Sequence, residues 1–275
     1  MKEKVLSRQA KIKLDAEIRH RVNAGRVAVQ GQVSFFKRHF SQVSSHWKQD
    51  ASRITFADLA ISENLFLSLK DDFPRDDFCS EEMSPKKGTI TLGDQFSWVL
   101  DPIDGTNNFA LGFPLCAISL ALLYKGVPIY GFVFDYSLEV LYEGGPSMGL
   151  WQGGKKIKPL ETAHKSERIL GLHFPLSQSI HNKIQDLLMT YKVRSLGSST
   201  LMCALVAKAY LYGVIDTRCK VWDIAATYAL VGAAGLEFNF IGESPFPLIK
   251  FNTNLPNCPY YSGNAEFCSS VKTLL

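Results

Sequence analysis

The sequence has no Cys-x-x-Cys pair, although it contains six cysteines. Closely spaced cysteines are the usual signature of a structural zinc site, so their spacing here argues against one. Most of them lie within apolar segments, at positions 79, 116, 203, 219, 258 and 268. We therefore predict free buried thiols and a reducing compartment, the cytoplasm.

Long hydrophobic runs are missing as well. The most apolar stretch, residues 109–124, is interrupted by Gly112 and Pro114 and is too short to span a bilayer. The first residues contain no apolar core of a secretory signal, so we expect neither export nor a membrane anchor. The sequence also has no internal repeat and no low-complexity tract.

Positive and negative charges nearly balance in this sequence. The formal net charge is only +4 in 275 residues, and the basic run from Lys2 to Arg21 is interleaved with Glu3, Asp15 and Glu17. This mixture is typical of a solvated helix face, whereas a nucleic-acid-binding surface concentrates lysine and arginine. We expect no nucleic-acid partner.

The first half of the chain has the pattern of helices followed by hairpins. Residues 4–36 have the spacing of one long surface helix, which could break at Gly25 or Gly31. Residues 55–73 predict a second helix. Short apolar runs separated by turn signals over residues 117–152 predict an antiparallel meander.

The second half alternates helices and short strands from His181 onward, which predicts a smaller mixed sheet covered by helices. The basic region Lys155–Lys158 marks the change of pattern. We therefore predict two domains, an α+β domain over residues 1–155 and an α/β domain over residues 156–275.

The strongest chemical signal lies in residues 96–109, Phe-Ser-Trp-Val-Leu-Asp-Pro-Ile-Asp-Gly-Thr-Asn-Asn-Phe. An apolar strand leads into Asp101, and because Pro102 removes a backbone donor we predict that the strand ends there. Asp101 and Asp104 can both offer carboxylates to a hard divalent cation, with the Ile103 carbonyl beside them. A purely structural turn has the same signature, so the motif alone leaves both interpretations open.

The residues that follow suit an anion. Thr106, Asn107 and Asn108 favour the start of a helix, and the backbone N–H groups of Gly105 and Thr106 could hold a phosphate there. A cation site and a phosphate site would then lie next to each other.

Other acidic positions are ambiguous by themselves. Asp58 falls in the first turn of a predicted helix, where a carboxylate complements the helix dipole in any case. Glu81 and Glu82 are adjacent, so only one can face a given site from an extended segment, and a solvated loop would explain both. Asp223 opens an alanine-rich helix and could be only its N-cap.

Together and in this order, the pieces resemble the inositol monophosphatase family, within the superfamily of lithium-sensitive, magnesium-dependent phosphatases. The likeness rests on Glu81-Glu82, the stretch from Asp101 to Phe109, and Trp222-Asp223-Ile-Ala-Ala226. A weaker pattern is Lys48-x-Asp50-x-Ser52-x-Ile-Thr55-x-Ala-Asp58, and the ending Ser262-Gly263-Asn264-Ala265 also fits. The resemblance covers nearly the whole chain from about residue 45.

The resemblance implies a layered αβαβα sandwich, an antiparallel sheet in the first half, and a homodimeric phosphomonoesterase with two or three Mg²⁺ ions per site. The metal ligands that it implies are Glu81, Asp101, the Ile103 carbonyl, Asp104 and Asp223. Its catalytic residues would be Thr106, Asp58 and Glu81, with Thr106 and Asp58 orienting and deprotonating the attacking water. The substrate contacts would be Gly105, Thr106 and Asp216.

The resemblance makes inositol monophosphate the representative substrate. Relatives that act on 3′(2′)-phosphoadenosine nucleotides or histidinol phosphate share this chemistry, and a catalytically silent binding relative is a further alternative. Ser80, Tyr212 and residues 233–236 depart from the family pattern without touching a metal ligand. The segment from Asp216 to Lys220 is unusually basic for a loop beside an inositol ring, which keeps a substrate with a second anionic group open.

Overall fold

The computed structural model describes residues 8–43, 45–47, 53–83, 88–93, 95–158 and 168–275. Lys48, Asp50 and Ser52 of the weaker pattern lie outside these residues. Within the described ranges, every helix is too short or too polar to cross a membrane. All six cysteines are buried and unpaired, as predicted.

The described residues form seven helices and sixteen strands. The helices are α1 Arg8–His39, α2 Phe56–Asp72, α3 Thr106–Leu111, α4 Gln178–Thr190, α5 Ser199–Ala207, α6 Val221–Ala233 and α7 Ala265–Lys272. The strands are β1 Ser45–Trp47, β2 Arg53–Thr55, β3 Asp77–Ser80, β4 Ile90–Thr91, β5 Phe96–Asp104, β6 Ala117–Tyr124, β7 Val127–Asp135, β8 Val140–Gly145, β9 Gly149–Gln152, β10 Lys155–Ile157, β11 Ile169–Leu172, β12 Lys192–Arg194, β13 Gly213–Asp216, β14 Glu237–Phe240, β15 Lys250–Phe251 and β16 Tyr260–Gly263.

Helix α1 is continuous, so neither glycine breaks it. A Cβ at Gly25 would lie 2.8 Å from the ring of Phe132 and 2.9 Å from that of Trp98. Gly25 therefore lets the helix approach the sheet closely, which sequence spacing alone cannot distinguish from a break. Gly31, by contrast, has open space around it.

The larger sheet has seven strands in the order β10-β9-β8-β7-β6-β5-β3. Its strands pair antiparallel from β5 through β10, which confirms the predicted meander, and β3 pairs parallel to β5. Helices α1 and α2 pack on one face of this sheet around buried aromatic and aliphatic side chains, among them Phe36, Leu65 and Trp98. Thr55 caps α2, as predicted.

The smaller sheet has five strands in the order β12-β11-β13-β16-β14. It is mixed, because β11 pairs parallel with β12 and β13 whereas β16 pairs antiparallel with β13 and β14. Helices α4 and α7 cover its outer face, and α5 and α6 fill the space between the two sheets. The predicted αβαβα sandwich with its two sheets is confirmed. The division into two domains stays a prediction. Helix α6, which belongs to the predicted second domain, packs against strands of the larger sheet.

Helix α6 lies unusually close to that sheet. A Cβ built on Gly131 of β7 would lie 2.1 Å from the carbonyl oxygen of Ala226 on α6. Only glycine permits this approach. Because Asp223 stands on the first turn of the same helix, the contact also sets the distance between Asp223 and the sheet.

Candidate active site

One cavity of about 420 Å³ lies where β3 and β5 end and α3 and α6 begin. Glu81, Asp101 and Asp223 each offer one carboxylate oxygen, and these oxygens lie within 4.8 Å of one another. Ile103 and Asp104 line the same cavity. The structure therefore brings all five residues of the predicted ligand set to one place, although three separate elements supply them.

A β-bulge puts Asp101 and Asp104 on the same side of β5. Asp101 pairs with Ser119 and Asp104 pairs with Ala117, so β5 has one more residue than β6 between these pairs. Residues three apart on a regular strand face opposite sides, and the extra residue restores them to one side. The prediction that the strand ends at Asp101 is thus wrong, because Pro102 lies in the bulge, where a missing donor is tolerated.

Local hydrogen bonds fix the turn after the bulge. Asp101 Oδ1 accepts the Ile103 N–H at 3.1 Å, and the Thr106 hydroxyl donates to the Ile103 carbonyl at 2.9 Å. Gly105 has a φ of +84°, and a Cβ there would lie 2.9 Å from the Leu115 carbonyl oxygen. The turn therefore requires glycine at position 105.

Residues of the second half of the chain hold two of the carboxylates in place. Asp104 Oδ2 accepts hydrogen bonds from the Ser198 hydroxyl and, at 2.8 Å, from the Thr200 N–H. The Thr200 hydroxyl donates to the Asp223 carbonyl at 2.9 Å. Asp223 Oδ2 also accepts the Lys220 N–H at 2.7 Å, so Asp223 caps its helix while it lines the cavity. Thr200 thus links two predicted ligands, a role that no sequence signal indicated.

The carboxylates oppose each other electrostatically. Burial raises the pKa of Asp101 well above its ordinary range, and repulsion from Glu81, Asp104 and Asp223 adds to the shift. The pKa of Asp223 is raised by burial and then by Asp104 and Glu81. Burial also raises the pKa of Asp104, although hydrogen bonds from Ser198 and Thr200 oppose the shift. An all-oxygen set of like charges suits a hard divalent cation, which would relieve this repulsion.

Asp58 is not among the residues that line the cavity. It is 1% exposed, and its Oδ2 accepts hydrogen bonds from the Thr55 N–H at 2.7 Å and from the Thr55 hydroxyl at 2.6 Å. This is the reciprocal capping arrangement of α2. Thr106, its predicted partner, does line the cavity. The joint catalytic role of the two stays a prediction.

Asp216 is completely buried and reaches the cavity only through its neighbours. Its Oδ2 lies 3.1 Å from His173 Nδ1 and accepts the Ser199 hydroxyl at 2.6 Å. Its Oδ1 accepts the N–H groups of Arg218 at 2.9 Å and Cys219 at 3.2 Å. With both oxygens occupied, the geometry favours an indirect role over the predicted direct contact with substrate.

His173 is a site residue that the sequence interpretation missed. It follows β11, which runs parallel to β13, so His173 and Asp216 meet at the carboxyl ends of neighbouring strands. Ligands of open α/β sheets bind at this edge. A prediction of a strand at Ile169–Leu172 would have placed His173 at a strand end and so indicated it as a site residue.

We expect an elevated pKa for His173. The hydrogen bond to Asp216 raises it, burial opposes this, and the charge of Asp216 raises it further. The stability that this contact supplies is fully present below the ordinary pKa of 6.5 and is lost as the pH rises through the raised value. NMR titration of the imidazole Cε1–H should show a midpoint above 6.5, and Asp216→Asn should lower it.

A matched variant separates the effect of the Asp216–His173 contact from the effect of losing one negative charge. Asp186 is exposed on α4, so Asp186→Asn removes the same charge without touching the imidazole. Its His173 midpoint should equal the wild-type value, and His173→Gln identifies the signal. An unchanged midpoint in folded Asp216→Asn would contradict the assignment.

The family model described as "Inositol monophosphatase family" matches residues 13–272. The chain belongs to the inositol monophosphatase family. Inositol monophosphatase 1 of Solanum lycopersicum is 31% identical over 202 residues, which cover 68% of this chain and 72% of the relative. A fructose-1,6-bisphosphatase/inositol-1-monophosphatase of Aquifex aeolicus is 27% identical over 227 residues, covering 78% of this chain and 83% of the relative.

A solved structure of an IMPase/NADP phosphatase complexed with Mg²⁺ and phosphate has the same fold. Its TM-score is 0.75 at 22% identity, and the match covers 96% of this chain and 95% of that one. Members of the inositol monophosphatase family are phosphatases, so the prediction of a phosphatase is confirmed.

One departure from the family pattern is accommodated by a hydrogen bond. The hydroxyl of the buried Ser80 lies 2.8 Å from that of Ser62 and accepts the Glu82 N–H at 3.3 Å. Ser80 therefore connects α2 to the segment that carries Glu81.

Proposed function

We propose that the protein hydrolyses the phosphate monoester of a small polyol, with inositol monophosphate as the representative substrate. One observation carries the proposal: three carboxylate oxygens lie within 4.8 Å of one another at a cavity of about 420 Å³, in a chain of this family. That volume is in the range of roughly 300–1,000 Å³ that small-molecule sites occupy.

Each part of the site has a separate task. Glu81, Asp101 and Asp223, with the Ile103 carbonyl and Asp104, would hold Mg²⁺. The bound cation would neutralise the phosphoryl oxygens and acidify a water molecule. The hydrogen bonds that Ser198 and Thr200 donate to Asp104 Oδ2 fix the orientation of this carboxylate.

In this proposal Thr106 orients the attacking water. Its hydroxyl hydrogen is donated to the Ile103 carbonyl, which leaves the oxygen lone pairs to accept a hydrogen from water. We propose that Glu81 and Asp58 complete the water-activating group, and that the N–H groups of Gly105 and Thr106 contact the phosphate. Gly105 and Thr106 line the cavity, whereas the place of Asp58 in the group rests on the family resemblance.

A phosphate-release assay over a substrate panel tests the proposal. With Mg²⁺ we expect release from inositol 1-phosphate, loss of release after chelation with EDTA, and inhibition by Li⁺. The panel also contains 3′-phosphoadenosine 5′-phosphate and histidinol phosphate, and preference for either would overturn the choice of inositol phosphate.

Absence of release from every substrate would instead favour a binding relative without activity. Calorimetric titration with Mg²⁺ counts the ions, for which the expectation is two or three, and sedimentation measures the predicted homodimer. The cytoplasmic location likewise stays a prediction.

A further inference from the structure

A second cavity, of about 620 Å³, lies at the opposite end of β5 from the carboxylates. Gln95 and Phe96 line it where β5 begins, whereas Asp101 and Asp104 belong to the other half of the strand. At roughly 3.3 Å per residue, Phe96 and Asp104 are on the order of 25 Å apart. No residue that lines this cavity lines the active-site cavity as well, so the two are separate.

The two cavities differ in charge. Lys13, Arg75 and Lys125 line the second cavity, and the single carboxylate among its described lining residues is Glu17. In the active-site cavity, four carboxylates outnumber one arginine and one lysine. The second cavity therefore attracts anions, whereas the active-site cavity repels them when no metal is bound.

Three segments of the chain present these cations from fixed backbone positions. Lys13 stands on α1, on the helix face that lines the cavity. Lys125 follows β6, and its N–H donates to the Gln95 carbonyl at 2.7 Å. Arg75 follows α2 and directly precedes the buried Asp76. The side chains of all three cations are exposed, so their charged groups can reach a ligand.

Asp76, the carboxylate next to Arg75, is engaged by other groups. Its two oxygens each accept a hydrogen bond from the Arg21 guanidinium at 2.8 Å, and Oδ2 also accepts the Trp98 Nε1–H at 3.0 Å. The side chains of the three cavity cations make no hydrogen bond or ion pair within the described ranges. Their charges are therefore not neutralised by the protein.

Two aromatic rings also line the cavity. Phe96 and Tyr124 are opposite each other on β5 and β6, and their ring centroids lie 5.0 Å apart. The Arg21 guanidinium lies 3.8 Å from the centroid of the Phe96 ring, and Lys125 Nζ lies 5.5 Å from that of Tyr124. These cation–π contacts help to hold the rings, which gives the cavity an ordered wall.

We propose that the second cavity binds a small molecule that carries at least two phosphate-type anionic groups. A guanidinium binds phosphate oxygens in pairs and an ammonium binds them as a point charge, and three such cations on separate segments exceed what one phosphate needs. The volume lies within the range of roughly 300–1,000 Å³ that small-molecule sites occupy. This binding site goes beyond the proposed function and does not depend on it.

Calorimetric titration of the metal-free protein with pyrophosphate, at low salt and with EDTA, tests the inference. One pyrophosphate should bind per chain, and inorganic phosphate should bind at least about fivefold more weakly. Arg75→Gln and Lys125→Gln should each raise the Kd of pyrophosphate by about three- to fivefold, the value of an exposed ion pair. Combining both with Lys13→Gln should raise it by about thirtyfold or more, because independent losses multiply.

Arg218→Gln and Lys155→Gln are the matched controls. Arg218 lines the active-site cavity and Lys155 is exposed on β10, so each variant removes the same charge elsewhere. Both should keep the wild-type affinity, and circular dichroism verifies that all variants are folded. Absence of pyrophosphate binding, equal affinity for inorganic phosphate, or equal losses in control and cavity variants would each contradict the inference. Absence of phosphate release from every substrate would contradict the proposed function alone.

Discussion

Asp101→Asn should lower Mg²⁺-dependent phosphate release by about a thousandfold or more while the protein stays folded. Asp101 is 1% exposed and lies among Glu81, Asp104 and Asp223. An amide has nearly the same shape but cannot supply the negative charge that a divalent cation needs. Steady-state phosphate release and circular dichroism measure the two parts of the prediction.

In the absence of metal, the same variant should increase the stability of the folded protein. The folded-state pKa values of Asp101 and Asp223 lie above the ordinary 3.8. The stability associated with these groups is therefore fully present below pH 3.8 and is lost as the pH rises through the raised values. At neutral pH, metal-free Asp101→Asn should be more stable than metal-free wild type, and Mg²⁺ should stabilise the wild type more.

Asp71→Asn is the matched control for both measurements, because Asp71 is exposed near the end of α2. It changes the net charge equally and should alter neither activity nor the response to Mg²⁺. Near-normal turnover in Asp101→Asn would exclude Asp101 as a metal ligand. If Mg²⁺ raised the thermal stability of the wild type and of Asp101→Asn equally, the conclusion would be the same.

Gly131→Ala should cost about 3 kcal/mol of unfolding free energy. The added Cβ would lie 2.1 Å from the Ala226 carbonyl oxygen, a distance that no rotation of a side chain relieves. Helix α6 must move away from β7, and Asp223 moves with it. Denaturant unfolding measures the loss, and calorimetric titration should show weakened Mg²⁺ binding in the variant.

Gly31→Ala makes the same change where there is room for it. Nothing lies within 4 Å of the added Cβ, and the position is inside α1, where alanine is favoured over glycine. A gain of roughly 0.5–1 kcal/mol is therefore expected. If Gly131→Ala were as stable as Gly31→Ala, the close approach of α6 to the sheet would be wrong.

The layered architecture could be predicted because its signals are local. Apolar spacing and turn residues identified α2, the meander of the larger sheet and the alternating second half. The ligand set followed from short motifs in a fixed order, which a family resemblance can assign without coordinates. The structure brings Glu81, Asp101 and Asp223 together, and their role as metal ligands stays a prediction.

Features that depend on partner strands could not be predicted in this way. The bulge between Asp101 and Asp104 is a property of pairing with β6, so the sequence of β5 alone suggested that the strand stops. His173 could be recognised as a site residue only from the pairing of β11 with β13. The acceptors of Asp216 are occupied by partners as distant in sequence as His173, which local spacing cannot reveal.

The position of Asp223 on α6, across from Glu81 and Asp101 on the larger sheet, has a consequence for folding kinetics. The three oxygens can converge only after chain segments far apart in sequence have met, and contacts of high sequence separation form slowly. Because the site exists only once these segments have met, a divalent cation bound there would stabilise the native state alone, by mass action.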